Sequence, residues 1–176
     1  MPGWGEPAGA EARAIGAVCG GVRIWSLYVP NGRKVDDPHY VYKLDWLARL
    51  RDSAQQWLGE PTALVGDWNI APQDEDVYDM AAFAKDTHVT PPERAAFQRF
   101  IGLGLSDSFR LFEQPEKTFS WWDYRMLGFQ KNQGLRIDHV LLSKPLAEQC
   151  TAAGIDRAPR KLERPSDHAP VWADIG

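Results

Sequence analysis

The chain alternates between short apolar runs and polar breaks rich in glycine or proline, a pattern typical of strands joined by turns. Two such runs, Arg13–Cys19 and Val22–Val29, are separated only by Gly20-Gly21, which predicts a hairpin with a two-residue turn. A third run, Thr62–Val65, ends in Gly66-Asp67 and predicts a buried strand. Further short strands are expected at Phe119–Tyr124, Ile137–Ser143, Gly154–Asp156 and Ala169–Ile175.

Two segments instead show the spacing of helices. From about His39 to Leu58 apolar residues recur near helical spacing, and Gly59 closes the pattern. Thr90-Pro91-Pro92-Glu93 is a capping-box start with proline in the first turn, and it predicts a helix to about Leu103. Between the two helices, residues 74–79 predict an acidic loop. Because strands outnumber helices and the helices fall between strand groups, a layered α/β or α+β domain is expected.

The composition is that of an ordinary soluble globular protein. Its 176 residues, 44% hydrophobic and 25% charged, are enough for one domain, so we expect a single domain over residues 1–176. Neither a transmembrane run nor a signal peptide is recognisable, and no membrane partner is expected. Cys19 and Cys150 form neither a metal-ligand spacing nor a disulfide framework, which indicates a reducing cytoplasm. The net charge of −4 leaves room for only a local basic rim.

Polar side chains follow two of the predicted strands. Asp67 and Asn69 come just after a buried strand, where ligands usually bind, and can hold a hard cation, a water or a phosphate oxygen. A simple turn would account equally well for these residue types. Tyr28 and Asn31 end the second strand; they can bind a phosphate, or be an ordinary loop-edge tyrosine and turn asparagine.

Two further constellations contain histidine. Asp167 and His168 precede the last strand and can supply a metal ligand and a protonatable imidazole, or be simply a loop carboxylate beside a surface histidine. Asp138 interrupts an apolar strand, where a carboxylate is costly unless it is paired. It can pair with Arg136 or orient an imidazole. His139 is expected to face the other side of the strand as a structural histidine.

In combination and order, these motifs resemble the endonuclease/exonuclease/phosphatase superfamily, specifically its exonuclease III-type abasic-site endonucleases. Gly66-Asp67-Trp68-Asn69 and Ser166-Asp167-His168 resemble motifs shared across the superfamily. Phe119–Arg125 and Gly134–Asp138 resemble its DNA-repair branch, and the match begins at Tyr28–Asn31. The resemblance implies an α/β (α+β) fold, the four-layered α/β/β/α sandwich of the DNase I-like type, N-terminally incomplete in this chain.

The resemblance also implies roles at the scissile phosphate. Tyr28 and Asn31 would contact the phosphate, and Asp67 would position or deprotonate the attacking water. Asn69 would help hold both the water and the phosphate. Phosphodiester hydrolysis needs such an oxygen nucleophile together with donors and positive charge around the phosphoryl oxygens.

A second set of implied roles concerns charge. Asp138 would orient His168, which stabilises the charge building on the phosphate. Asp167, with Asp67 and Asn69, would bind a divalent metal, and such oxygen ligands suit Mg²⁺ or Mn²⁺ rather than zinc.

The implied DNA-facing surface is the segment from Lys117 to Arg136. It carries four basic residues against one acidic residue, a local net charge of +3, with aromatic rings between them. Trp121, Arg125 and Arg136 would meet the DNA and the abasic sugar. A solvated basic loop beside core tryptophans is the alternative.

These features predict a DNA repair nuclease that hydrolyses phosphodiester bonds of duplex DNA by metal-assisted in-line attack of water. It would act as a 3′→5′ exonuclease and abasic-site endonuclease in base excision repair. Duplex DNA, especially abasic sites and 3′ ends, is the expected partner, and the protein is expected to be a monomer. A phosphoesterase acting on a non-DNA phosphoester and a non-catalytic DNA-binding short form remain alternatives.

The first part of the family pattern is not recognisable. Family members normally begin with a strand bearing an asparagine and continue to a strand ending in a metal-binding glutamate. Glu6 and Glu11 are the only acidic residues before the first predicted strand, and they lie in residues 1–12, which predict an irregular segment. We therefore expect missing N-terminal strands and weak or absent activity in this chain.

Overall fold

The computed structural model describes residues 11–176, so most of the predicted irregular segment, including Glu6, lies outside the described residues. The strands there are β1 (Ala14–Cys19), β2 (Val22–Tyr28), β3 (Thr62–Asp67), β4 (Ser106–Asp107), β5 (Trp121–Trp122), β6 (Gly134–Leu135), β7 (Asp138–Leu142), β8 (Cys150–Ile155) and β9 (Val171–Ile175). The α-helices are α1 (Pro38–Ala54), α2 (Pro91–Gly102) and α3 (Lys144–Ala147).

The largest sheet has the strand order β1-β2-β3-β7-β4. β1 and β2 form the predicted hairpin, in which Cys19 pairs with Val22 and both turn glycines have positive φ, 57° and 83°. β3 runs parallel to β2 after the α1 crossover, and β7 runs antiparallel to β3. The carboxyl ends of β2 and β3 therefore meet the amino end of β7 at one end of the sheet.

Alternate side chains of the central strands face two different layers. Leu64 and Leu141 pack in the core beneath α1 and α2, with Trp46 and Phe100 from the helices. Their strand neighbours, represented by Leu142, face the second sheet of β8 and β9. The described residues thus form a helical layer, a five-stranded mixed sheet and a second sheet. None of the helices in residues 11–176 is long and apolar enough to cross a membrane.

Both long helices begin with side-chain caps. Asp37 caps α1 by accepting the backbone N–H of His39 at 2.8 Å. At the start of α2 the predicted capping box is present: Thr90 Oγ1 accepts the Glu93 N–H, and the Glu93 carboxylate accepts the Thr90 N–H. α1 passes into a short 3₁₀ turn at Gln55–Trp57, close to the predicted helix end.

A fully buried ion pair joins the two helices. Lys43 of α1 and Glu93 of α2 have no exposed side-chain surface, and Lys43 Nζ lies 2.5 Å from Glu93 Oε1. Lys43 Nζ also donates to the carbonyl oxygens of Asn31, at 3.2 Å, and Asn69, at 2.6 Å. This pair therefore fixes the loops after β2 and β3 relative to both helices.

Three elements differ from those that the sequence predicts. The strand expected at Phe119–Tyr124 narrows to β5, because the Ser120 hydroxyl accepts the backbone N–H of Ile137. The predicted acidic loop contains a 3₁₀ helix, Asp74–Asp76, with its own capping box. The strand expected at Gly154–Asp156 is the end of the longer β8.

Gly66 should be sensitive to substitution because β2 and β3 approach closely there. Its φ is +132°, and a Cβ would lie 2.1 Å from the carbonyl oxygen of Leu27. Gly66→Ala should lower the free energy of unfolding by at least about 2 kcal/mol. Gly59→Ala is the matched control, since nothing lies within 4 Å of a Cβ there, and should change it by less than about 1 kcal/mol. Urea unfolding measures both; equal effects would contradict this explanation.

Candidate active site

Three predicted site residues lie side by side across the central sheet. Tyr28 at the end of β2 pairs with Asp67 at the end of β3, and Asp67 pairs with Asp138 at the start of β7. Residues paired in this way point to the same face, so these side chains share one surface. Tyr28 is 53% exposed, with the Arg13 guanidinium 5.1 Å from its ring centre.

The loops after β2 and β3 bring two asparagine amides to this place. Asn69 has a φ of 50°, in the left-handed region that asparagine tolerates. Its backbone N–H donates to Asp67 Oδ1 at 2.8 Å, and its Nδ2 donates to Asp67 Oδ2 at 3.1 Å and the Val29 carbonyl at 2.9 Å. Asn31 Nδ2 donates to Asn69 Oδ1 at 3.1 Å. One carboxylate and two amides therefore form a single hydrogen-bonded group.

The segment before β9 adds an imidazole to the site. His168 Nδ1 lies 2.9 and 3.1 Å from the two carboxylate oxygens of Asp138. The Ser120 hydroxyl holds Asp138 in turn by accepting its backbone N–H at 3.1 Å. Burial disfavours the charged imidazole, but the Asp138 carboxylate outweighs it and raises the pKa of His168 above its ordinary value. The structure thus brings the Asp138 carboxylate and the His168 imidazole into direct contact.

Asp67 is largely buried and lies close to a second carboxylate, that of Asp138. Burial, and then the neighbouring Asp138 carboxylate, raise the pKa of Asp67 to about 7, although His168 and the Asn69 N–H favour its ionised form. A carboxylate whose pKa lies near neutral pH can take a proton from water. A bound cation would also relieve the repulsion between the two carboxylates.

The predicted metal ligands are oxygen donors of the kind that Mg²⁺ and Mn²⁺ prefer. Asp67 and Asn69 are hydrogen-bonded to each other, and Asp167 Oδ2 accepts a hydrogen bond from Trp121 Nε1 at 3.0 Å. Within residues 11–176, no three His, Cys, Asp or Glu side chains are grouped to hold a metal ion. Mg²⁺ often binds through one or two carboxylates, several waters and substrate phosphate oxygens, so these donors fit that mode.

Two of the residues expected to meet DNA lie at or near the surface. The Arg125 side chain is 84% exposed and pairs with Asp123, with Nη2 2.6 Å from Oδ2. Trp121 is half-buried, and its backbone forms an isolated bridge with His168. The segment that carries both residues therefore adjoins the loop of Asp167 and His168.

Arg136 requires a correction, because it lies in the interior with 1% of its side chain exposed. It donates to Asp76 at 2.6 Å and to Asp107 at 2.8 Å, so two buried carboxylates hold it away from any substrate. The alternative pairing of Arg136 with Asp138 is also wrong. His139 donates from Nε2 to a backbone carbonyl at 2.8 Å, and burial and Arg136 lower its pKa to about 4. It is the neutral structural histidine that the strand pattern predicts.

Sequence reasoning missed three residues: Lys43, Glu93 as its partner, and His88. His88 Nε2 lies 3.1 Å from Asn69 Oδ1 and 3.2 Å from Asn31 Nδ2. A signal existed for Lys43, which falls at helical spacing among the buried residues of α1. A lysine at such a position indicates a buried partner. The pattern around His88 gives no comparable signal.

Comparison with known proteins points in the same direction as the geometry. Residues 2–168 match the model of the Endonuclease/Exonuclease/phosphatase family. The chain is 46% identical over 162 residues to exodeoxyribonuclease III of Haemophilus influenzae, an alignment that covers 84% of this chain and 59% of that protein. The chain therefore spans less than two thirds of that relative's length.

Solved structures with a similar backbone include two DNA-processing proteins. The 3′ phosphatase NExo from Neisseria, bound to product DNA hairpin, has a TM-score of 0.90 and 39% identity. An AP endonuclease from Archaeoglobus fulgidus has a TM-score of 0.88 and 34% identity. Each comparison covers 93% of this chain and 65% of the other. These likenesses confirm the expected DNase I-like fold of mixed sheets and helices.

The two arginines assigned to DNA offer a matched pair of stability tests. Arg136→Met should lower the free energy of unfolding by about 3–5 kcal/mol, because it leaves Asp107 buried without its cation and leaves Asp76 paired only with Arg110. Arg125→Met removes an exposed, solvent-screened ion pair and should leave the free energy of unfolding close to that of the wild type. Chemical denaturation measures both changes. A loss for Arg136→Met as small as that for Arg125→Met would contradict the buried network.

The charge at Asp67 can be measured directly. In the protein with metal removed by EDTA, the Asp67 carboxyl carbon should titrate near pH 7, because burial and Asp138 disfavour its ionised form. Asp123 is the internal control, since hydrogen bonds from Arg125 hold the pKa of that carboxyl below its ordinary value. Carbon-detected NMR against pH follows both groups in one sample. Titration of both carboxyls below pH 4 would contradict the proposed electrostatics.

Proposed function

This chain belongs to the Endonuclease/Exonuclease/phosphatase family, and we propose that it is a DNA repair nuclease of the exodeoxyribonuclease III type. Its substrate is duplex DNA, cut at 3′ ends and at abasic sites. The observation that carries the proposal is the convergence at one end of the central sheet of Asn31, Asp67, Asn69, Asp138 and His168.

Each side chain has a place in hydrolysis of the phosphodiester. Asp67 accepts a proton from the water that attacks phosphorus in line with the leaving oxygen. His168, held by Asp138 through Nδ1, donates from Nε2 to a phosphoryl oxygen and stabilises the charge that develops there. The exposed hydroxyl of Tyr28 and an N–H of Asn31 bind the remaining phosphoryl oxygens.

We assign Asp67 and Asp167 to a divalent cation, Mg²⁺ or Mn²⁺, and give Asn69 the role of holding the Asp67 carboxylate, because its own Oδ1 already accepts from Asn31. When bound, it supplies positive charge against the phosphoryl oxygens and the two crowded carboxylates. The all-oxygen donor set and the raised pKa of Asp67 support the assignment.

The surface beside the site supports DNA rather than a small phosphoester as the substrate. Tyr124, Met126 and Leu127 expose 62%, 79% and 61% of their surface, and Met126 and Leu127 both have positive φ, 58° and 59°. Exposed apolar side chains next to Arg125 are typical of a contact surface, and Trp121 connects them to Asp167. We propose that this segment lies against the DNA.

The last part of the proposal concerns the oligomeric state and the cellular location of the protein. We propose a single-domain monomer in the cytoplasm, where Cys19 and Cys150, both free thiols in the structure, stay reduced. Sedimentation of the purified protein tests the monomer, which should persist at micromolar concentration.

Activity assays test the catalytic assignment. With Mg²⁺, the protein should nick a duplex at an abasic site and shorten 3′ ends at a low rate, because the asparagine and the metal-binding glutamate of the family pattern are not recognisable in it, and EDTA should abolish both activities. Asp67→Asn and His168→Asn should each lower kcat by about 100-fold or more, since each removes a proton acceptor or donor at the phosphate. His39→Asn is the matched control, because this histidine contacts Asp37 at the start of α1 and should retain full activity.

A small phosphodiester assayed in parallel separates the alternatives. Cleavage of DNA with no cleavage of bis-p-nitrophenyl phosphate supports the nuclease. The reverse result would favour a non-DNA phosphoesterase. Binding of abasic duplex without any nicking, equal in the wild type and Asp67→Asn, would favour a non-catalytic DNA-binding protein.

A further inference from the structure

His88 lies between the two site amides, although the catalytic scheme gives it no task. Its Nε2 is 3.1 Å from Asn69 Oδ1 and 3.2 Å from Asn31 Nδ2. Its Nδ1 is 3.2 Å from the hydroxyl of Thr87. A single imidazole nitrogen therefore faces the oxygen of one amide and the nitrogen of the other.

The hydrogen bonds around the two amides fix which of their atoms face His88. Asn69 Nδ2 donates to Val29 and Asp67, so its Oδ1 is fixed as the acceptor that faces His88. Asn31 Oδ1 accepts the backbone N–H of Arg33, so its Nδ2 is the donor end. If His88 Nε2 carries the proton, it donates to Asn69 Oδ1 and Nδ1 accepts from Thr87. Asn31 then gives one N–H to Asn69 and keeps the second for a phosphate.

The other arrangement leaves Asn31 without a free N–H for the phosphate. With the proton on Nδ1, the bare Nε2 would accept the second N–H of Asn31 and oppose the lone pairs of Asn69 Oδ1 at 3.1 Å. Both N–H groups of Asn31 would then be occupied before substrate arrives.

The backbone of His88 is held in a conformation that costs free energy. Its φ is 82°, a positive value that is uncommon for residues other than glycine, although histidine adopts it more often than most. The His88 N–H donates to Glu93 Oε1 at 2.9 Å, and its carbonyl accepts the Ala71 N–H at 2.8 Å. The Lys43–Glu93 pair thus holds the imidazole against the amides. Strain that is held in this way is typical of residues with a function.

We propose that His88 is a positioning residue whose Nε2–H donates to Asn69 Oδ1 and thereby keeps one N–H of Asn31 directed at the substrate phosphate. The hydrogen bond from His88 to Asn69 is a property of the protein alone, whereas the role of Asn31 at the phosphate rests on the proposed function. His88 acts through Asn31 and Asn69 and touches no reacting atom itself.

Three substitutions separate hydrogen bonding from space filling. His88→Gln keeps an N–H at similar reach, His88→Phe keeps a ring without a donor, and His88→Asn tolerates the left-handed backbone but is too short to reach Asn69. On DNA, His88→Phe and His88→Asn should lower kcat/KM about 10–100-fold, mainly through a raised KM, as loss of an orienting group commonly does. His88→Gln should stay within about threefold of wild type. His39→Asn remains the control.

A spectroscopic readout keeps this test independent of nuclease activity. Nitrogen-15 NMR of the imidazole should show the Nε2–H tautomer, and His88→Phe should shift the side-chain amide resonances of Asn31 and Asn69 while His88→Gln restores them. An Nδ1–H tautomer, or wild-type KM in His88→Phe, would overturn the proposal. If the wild type cleaves no DNA, the proposed function fails, and the tautomer and amide resonances still decide the role of His88.

Discussion

The buried pair of Lys43 and Glu93 is the interaction on which the arrangement of the site depends. Two charges without solvent contact are stable only when their hydrogen bonds are satisfied, and here every bond of Lys43 Nζ serves the site. It donates to the carbonyls of Asn31 and Asn69, the two loop residues that carry the amides. Glu93 completes the cap of α2 and holds the backbone of His88. One ion pair therefore connects two helices to the phosphate-binding loops.

The sheet supplies the other half of the geometry. Register across β2, β3 and β7 places Tyr28, Asp67 and Asp138 in one row, and this row forces two carboxylates together in a poorly solvated place. The crowding raises the pKa of Asp67 and that of His168, each in the direction that its proposed role requires. The strand pairing thus places the proposed proton acceptor, Asp67, near the proposed proton donor, His168. The amides held by Lys43 are then left to bind the phosphate.

Sequence could predict whatever local rules determine. The Gly20-Gly21 hairpin and the capping box from Thr90 to Glu93 follow from turn and cap preferences, and both are present. The contact of Asp138 with His168 spans 30 positions, and only the family resemblance indicated it. The assignment of Arg136 to the DNA surface is wrong because its partner Asp76 lies 60 positions away, inside the predicted acidic loop. Contacts between residues so far apart in sequence depend on tertiary packing, which a local sequence pattern does not indicate.

The most direct measurement of the central claim is digestion of duplex DNA in water labelled with oxygen-18, with Mg²⁺ present. Mass spectrometry of the mononucleotides released from 3′ ends then reports where the solvent oxygen goes. In-line attack of water activated at Asp67 predicts that the label enters the phosphate of each released nucleotide and not its sugar. Unlabelled phosphate in the released nucleotides, or no release that depends on Asp67, would contradict the account.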